Sequence, residues 1–142
     1  VLAPEANYRN DGAPANDDSL VLRLQYGKAS ALLEGDAEAP SEQAMVADGR
    51  LKPATLLKVG HHGSNSSTTP RFLAETAPRD AVISVGKGNT FGHPKDAVID
   101  RIAAAHTRLY RTDEFGLTTF LLRRDGGIRE VLGSGDTDAV AF

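Results

Sequence analysis

Leu20, Leu22 and Leu24 alternate with Arg23 and Gln25, and that period of two marks a half-buried β-strand. Gly27-Lys28 follows as a turn, and Ala29-Ser30-Ala31-Leu32-Leu33 reads as the returning strand of a hairpin. The hairpin runs into Glu34-Gly35-Asp36, which puts Asp36 just beyond a strand. Acidic residues then come early and Gly49 late, which predicts a helix from Pro40 to Asp48. "ATLLKVG", residues 54–60, is a short buried strand. Thr69 as N-cap and Pro70 in the first turn start a helix that ends before Pro78. "DAVISVG", residues 80–86, is a further buried strand rich in β-branched residues. Pro94 opens a helix whose Val98, Ile102 and Ala105 share one face with Ile99 and Ala103, so it should lie on a sheet. Residues 107–132 supply two or three strands, with turns at Asp113–Gly116 and Asp125–Gly127.

Around this core, residues 1–18 are rich in Pro, Asn, Asp and Gly and read as an entry loop, and residues 133–142 read as a loose tail. The succession of hairpin, helix, strand, helix, strand, helix and strands predicts a single α/β domain with helices covering one face of the sheet.

Composition narrows the function classes. With 142 residues there is room for one domain with a core and too little for two. A net charge of -3 argues against a bulk electrostatic nucleic-acid binder, yet leaves room for an enzyme that meets phosphates locally through metal ions. The absence of cysteine excludes disulfides and thiolate zinc sites. No apolar run reaches transmembrane length and no signal-peptide pattern opens the chain, so as given it reads as soluble.

Candidate chemistry falls at the downstream ends of three strands: Asp36, the pair His61-His62, and His93. If those strands are neighbours, their ends share one rim. Carboxylate and imidazole together suit Zn²⁺ or Mn²⁺, and a carboxylate can bridge two ions. Each feature alone has a plain alternative, since a Gly-Asp pair is an ordinary turn and loop histidines are often structural. Neighbouring side chains in an extended chain diverge, so one of His61 and His62 is expected to face the site while the other orients it. His93 lies between Gly92, which lets the backbone approach closely, and Pro94, which disfavours the helical region for His93. The segment "VGKGNT" offers Lys87 and Asn89 to a phosphate without the full nucleotide-binding pattern. Ser64 is a hydrogen-bond donor to substrate or loop, and lacks the strained elbow of a nucleophile. His106 at a helix end reads as structural, and the arginines at 108, 111, 123, 124 and 129 read as a solvated sheet face or a nucleic-acid contact.

The ordered set "NDDSLVLRLQYGKASALLEGDAE", "LLKVGHHGSNSST", "AVISVGKGNTFGHP" and "RTDEFG" resembles the metallo-β-lactamase-like domain of ComEC-type DNA-uptake competence proteins. The resemblance implies a four-layer αββα sandwich with a metal-dependent hydrolase site at one rim, on a domain attached to a membrane channel. It implies a divalent metal cofactor, Zn²⁺ or Mn²⁺ and up to two ions in the intact domain, and single-stranded DNA as the substrate degraded during uptake. Carried onto this sequence, Asp36 is the bridging metal ligand and His93 the ligand of the last metal motif. His61 and His62 are a ligand or a catalytic acid/base, with His62 taken as ligand. Asn16 and Asp17 lie close to the site, with Asn16, Ser64, Lys87 and Asn89 placed on the substrate.

The His-x-His-x-Asp-His motif of that fold is missing, so the expectation is the C-terminal half of the domain, with its N-terminal half and a membrane channel as partners within an inner-membrane parent. This domain is expected outside the cytoplasm. An exposed sheet edge or face should mark where the other half packs. The other readings are a hydrolase of a different ester or lactone, and a non-catalytic binding or docking module of the same fold.

Overall fold

In the computed structural model, residues 1–6, 8–13 and 15–132 are described, and the tail expected at 133–142 lies outside them. The hairpin forms as β1 (Leu22–Tyr26) and β2 (Ala29–Leu33), antiparallel, with Tyr26 opposite Ala29 across the Gly27-Lys28 turn. Helix α1 spans Ala39–Ala47, followed by β3 (Leu56–Lys58). Helix α2 (Pro70–Thr76) begins where the sequence indicates: Thr69 Oγ1 accepts from the backbone N–H of Phe72 at 3.3 Å. Next come β4 (Asp80–Ile83) and α3 (Asp96–Ala104). The latter starts two residues beyond the expected Pro94, and its Ala105 is an exposed cap rather than a core position. Strand β5 (Arg108–Arg111) leads into a short helix α4 (Thr112–Phe115) in place of the expected turn. The chain closes with β6 (Thr118–Leu122) and β7 (Ile128–Leu132).

One five-stranded sheet has the order β1-β2-β3-β4-β5, parallel except for the hairpin, while β6 and β7 form a separate antiparallel ribbon. Register decides which side chains meet. Leu32, Leu57, Ala81 and Leu109 sit in one cross-strand row, and that face packs against Met45 of α1, Phe72 and Leu73 of α2, and Val98 and Ile102 of α3. Burying Phe72 completely contributes about 1.5–3 kcal/mol. The β6–β7 ribbon lies on the other face. Phe120 meets Tyr110 edge-on at 5.3 Å between ring centres, and the Lys28 N–H donates to Arg124 O at 2.9 Å.

The leucine face of β1 is the open one. Leu20 and Leu24 are 53% exposed and Tyr26 is 55% exposed. Arg23, on the helix side, instead lays its guanidinium on Ser30 Oγ and the carbonyls of Lys52 and Pro53. Residues 1–18 are also more than an entry loop, because Ala3 is buried and bridges Val21 at the sheet edge.

Candidate functional site

Strands β2, β3 and β4 are parallel neighbours, so the loops leaving their C-terminal ends open on one rim, the usual location of chemistry in such sheets. Asp36, His61-His62 and His93 lie on those three loops.

The floor beneath them is a buried pair of carboxyl groups. Glu34 and Glu42 are both fully buried. Glu34 Oε2 accepts from the Gly60 N–H at 2.9 Å and from the Thr68 hydroxyl at 3.1 Å. Glu42 accepts from the backbone N–H of Thr69 at 2.8 Å and from that of Thr68. Burial above all, and then the neighbouring Glu42, push the Glu34 pKa well above the ordinary carboxyl range and favour its protonated form. Its Oε1, buried and otherwise without a partner, becomes a donor in that state. Gly60 is required here because a Cβ would stand 2.6 Å from the Glu34 carboxyl carbon.

Directly above this floor the backbone leaves the extended region. His61 (φ 43°, ψ 45°) and His62 (φ 53°, ψ 25°) are left-handed, and Gly63 follows at φ 82°. The premise that the two histidines diverge across an extended segment therefore fails, and both rings reach the rim. Local bonds hold the turn: the His61 N–H donates to Gly35 O at 3.0 Å, and the Ser64 N–H to His61 O at 2.8 Å. Gly63 is pressed against the third loop, where a Cβ would lie 2.6 Å from Pro94 Cβ, and its carbonyl accepts from the Lys95 N–H at 2.9 Å. The histidine loop and the His93 loop are thus one packed unit.

Each ring is oriented by its Nδ1. His61 Nδ1 lies 3.0 Å from Glu38 Oε1, and His62 Nδ1 lies 2.6 Å from the carbonyl oxygen of Ser84. A carbonyl only accepts, so His62 Nδ1 carries the hydrogen, and in the neutral ring the lone pair is on Nε2. Glu38 acts likewise on His61. Hydrogen bonds from Ser66 first and then Asn16, with His61 adding less, hold the Glu38 pKa below the usual range, which leaves it an acceptor. His62 Nε2 stands 3.5 Å from Asp36 Oδ1.

His93 lies edge-on to His61, 5.8 Å between ring centres, and lines a cleft of about 470 Å³ with His62, Ser84, Val85, Gly86, Asn89, Phe91 and Thr112. Its Nδ1 is buried without a hydrogen-bond partner. Burial first, then the charges of Lys95, His61 and His62, lower its pKa and favour the neutral imidazole. The peptide bond to Pro94 is cis.

The residues expected on substrate have other contacts in the structure. Asn16 Nδ2 donates to Glu38 Oε1 at 3.2 Å, and Ser64 reaches Glu38 through Ser66, at 2.9 and 2.7 Å. Asp17 Oδ1 accepts from the backbone N–H groups of Glu38 and Ser41 and so caps α1. Asn89 clamps His93, accepting from its N–H at 3.0 Å and donating to its carbonyl at 2.7 Å. Lys87 stands exposed on the turn of the same loop. The residue that sequence reasoning missed is Glu38, two positions after Asp36; an acidic residue opening a helix reads as dipole compensation until the fold carries it to His61.

Metal-ligand chemistry fits part of this arrangement. Two ligands of one tetrahedral ion with bonds of about 2.1 Å lie about 3.4 Å apart, close to the separation of Asp36 and His62. Among the described residues, however, no three His, Asp or Glu side chains group closely enough to hold an ion. The chain offers a partial donor set.

A mostly parallel sheet with helices on one face, delivering an aspartate loop and two interlocked histidine loops to one rim, defines a mixed α/β domain with a rim site. The chain belongs to the ComEC-type family of competence proteins. Over 140 residues, 99% of the chain, it is 36% identical to ComE operon protein 3 of Bacillus subtilis (strain 168), of which it covers 18%. Over 112 residues, 78% of the chain, it is 39% identical to competence protein ComA of Neisseria gonorrhoeae, covering 16% of that protein. Over 87 residues, 61% of the chain, it is 40% identical to recombination protein 2 of Haemophilus influenzae, covering 11% of it. The chain thus spans less than a fifth of the length of these relatives. No family model matches it. Among the described residues no helix is long and apolar enough to cross a membrane.

Proposed function

We propose that this chain forms one side of a metal-dependent phosphodiesterase site acting on single-stranded DNA during DNA uptake. The observation that carries the reading is the pairing of Asp36 with His62 at ligand spacing, beside the buried, unpartnered Nδ1 of His93. Asp36 and His62 would supply two ligands of the divalent ion, Zn²⁺ or Mn²⁺, with His93 as a further ligand once the rest of the donor set is in place and His61 beside them as ligand or acid/base. When bound, the ion supplies Lewis-acid stabilisation of charge developing on a phosphate. The chain's own residues do the rest. Glu38 and the Ser84 carbonyl fix Nδ1–H on the two histidines and turn Nε2 toward the rim, and Asn89 fixes the His93 backbone. Lys87 offers a positive charge to the strand's phosphates.

The remaining ligands would come from elsewhere in a longer parent, whose preceding segment would cover the exposed Leu20, Leu24 and Tyr26 face. That parent would be a membrane protein carrying this domain outside the cytoplasm. The incomplete donor set among the described residues favours one competing reading, a non-catalytic module of the same fold.

The test uses the intact parent domain. Asp36→Asn and His93→Ala are each expected to abolish Mn²⁺- or Zn²⁺-dependent cleavage of single-stranded DNA, and EDTA should do the same to the wild type. Because both histidines reach the rim, His61→Ala and His62→Ala should each cost on the order of 10²-fold or more. Folded variants that cleave like the wild type would move the site elsewhere. A wild type that cleaves small esters and no DNA would favour the general hydrolase, and one that binds no metal would favour the module.

A further inference from the structure

Phe91 is 75% exposed although its loop is firmly held. Asn89 ties Gly86 to His93, and Lys95 Nζ donates to the Phe91 carbonyl at 3.0 Å, so the backbone that carries the ring is held on both sides. The ring lies nearly parallel to that of His93, 16° between planes with centres 6.1 Å apart, and forms part of the cleft wall. It is not part of the hydrophobic core. An exposed phenyl on a restrained loop gains free energy when a flat apolar surface covers it. Here the other cleft walls include polar groups, His62, Ser84, Asn89 and Thr112. A partner that is flat and apolar on its face and polar at its edge matches both features. Exposed Lys87 and Lys95 flank the ring in sequence and suit an anionic backbone.

We infer that Phe91 is a substrate-binding residue of this cleft, the platform on which a base of single-stranded nucleic acid stacks. This rests on the nucleic-acid reading proposed above and extends it to a residue and a part of the substrate. Stacking requires an unpaired base, so the platform selects single strands over duplex without reading sequence.

The test measures binding of the whole chain to a fluorescent twelve-nucleotide oligothymidylate and to an abasic strand of the same length and charge, at low salt. One stacked base is worth about 5- to 150-fold in affinity, the equivalent of about 1–3 kcal/mol. Wild type should prefer the base-bearing strand by a factor in that range. Phe91→Ala should lower that affinity to the abasic level, and Phe91→Trp should keep the preference. The ring is exposed, so folding of the variants is expected to hold and is checked by circular dichroism. If wild type and Phe91→Ala bind both strands equally, the platform is refuted while the nucleic-acid reading stands. If neither strand binds, the nucleic-acid reading fails and the platform fails with it.

Discussion

Glu34→Gln probes the floor of the site. Burial, and then Glu42, raise the Glu34 pKa in the fold well above the ordinary carboxyl value of 4.5 and favour the protonated group. Below pH 4.5 both the folded and the unfolded chain carry that proton, and the stability of this arrangement is fully present. As pH rises past 4.5 the unfolded chain releases the proton and the folded chain does not. Stability then falls by about 1.4 kcal/mol per pH unit until the folded group itself ionises. Glutamine has the same shape. Its carbonyl can accept from Gly60 N–H and the Thr68 hydroxyl, its amide can donate toward Glu42, and it never titrates.

The two proteins should therefore differ by no more than about 0.5–1.5 kcal/mol, one hydrogen bond's net worth, at the acid end. The glutamine variant should gain on the wild type by about 1.4 kcal/mol for each further pH unit inside the window. Urea unfolding followed by circular dichroism at pH 5, 6, 7 and 8 gives the comparison directly. Parallel stability curves for the two proteins would show that Glu34 is not protonated in the fold, and the account of the floor would be wrong.

Gly63→Ala must place a Cβ 2.6 Å from Pro94 Cβ at φ 82°. We expect a loss of about 2–5 kcal/mol from the left-handed backbone and overpacking together, with the His62 and His93 NMR signals shifted; unchanged stability would mean the two loops are not interlocked. Glu38→Ala should let His61 populate both tautomers, read from its ¹⁵N shifts, at a cost of about 1–3 kcal/mol in stability, while Glu38→Gln, which keeps an acceptor, should restore much of the Nε2 lone-pair form. A single unchanged tautomer in Glu38→Ala would remove Glu38 as the orienting group.

The fold was readable where periodicity and capping speak locally. Alternation around Leu22 predicted the hairpin, and Thr69-Pro70 predicted the start of α2 to the residue. That the loops carrying Asp36, His61-His62 and His93 share one rim followed once β2, β3 and β4 proved to be parallel neighbours. The failures came from partners distant in sequence. Nothing local says that Leu20 and Leu24 would stay open while Arg23 folds over Ser30. Nor does the string "GHHG" announce two left-handed histidines; it is Glu34, 26 residues before Gly60, that lies against that backbone. Asn16 and Asn89, expected on substrate, have side chains that bond Glu38 and His93 in the structure.

Two consecutive non-glycine residues in the left-handed region cost about 2–6 kcal/mol together, and such strain persists only where surrounding structure over-determines it. Here the surrounding bonds can be named: Gly60 to Glu34, His61 to Gly35, Ser64 to His61, Lys95 to Gly63, and the two ring nitrogens to Glu38 and Ser84. At about 0.5–1.5 kcal/mol each they are of the size needed to offset the strain. What the strain achieves is geometric. An extended path through residues 61 and 62 would send one imidazole away from the rim, whereas the left-handed turn brings both there, each held by its Nδ1. His61 and His62 lie outside the hydrophobic core, so packing does not account for a turn this costly, whereas the proposed role of the two imidazoles in ligation or proton transfer does.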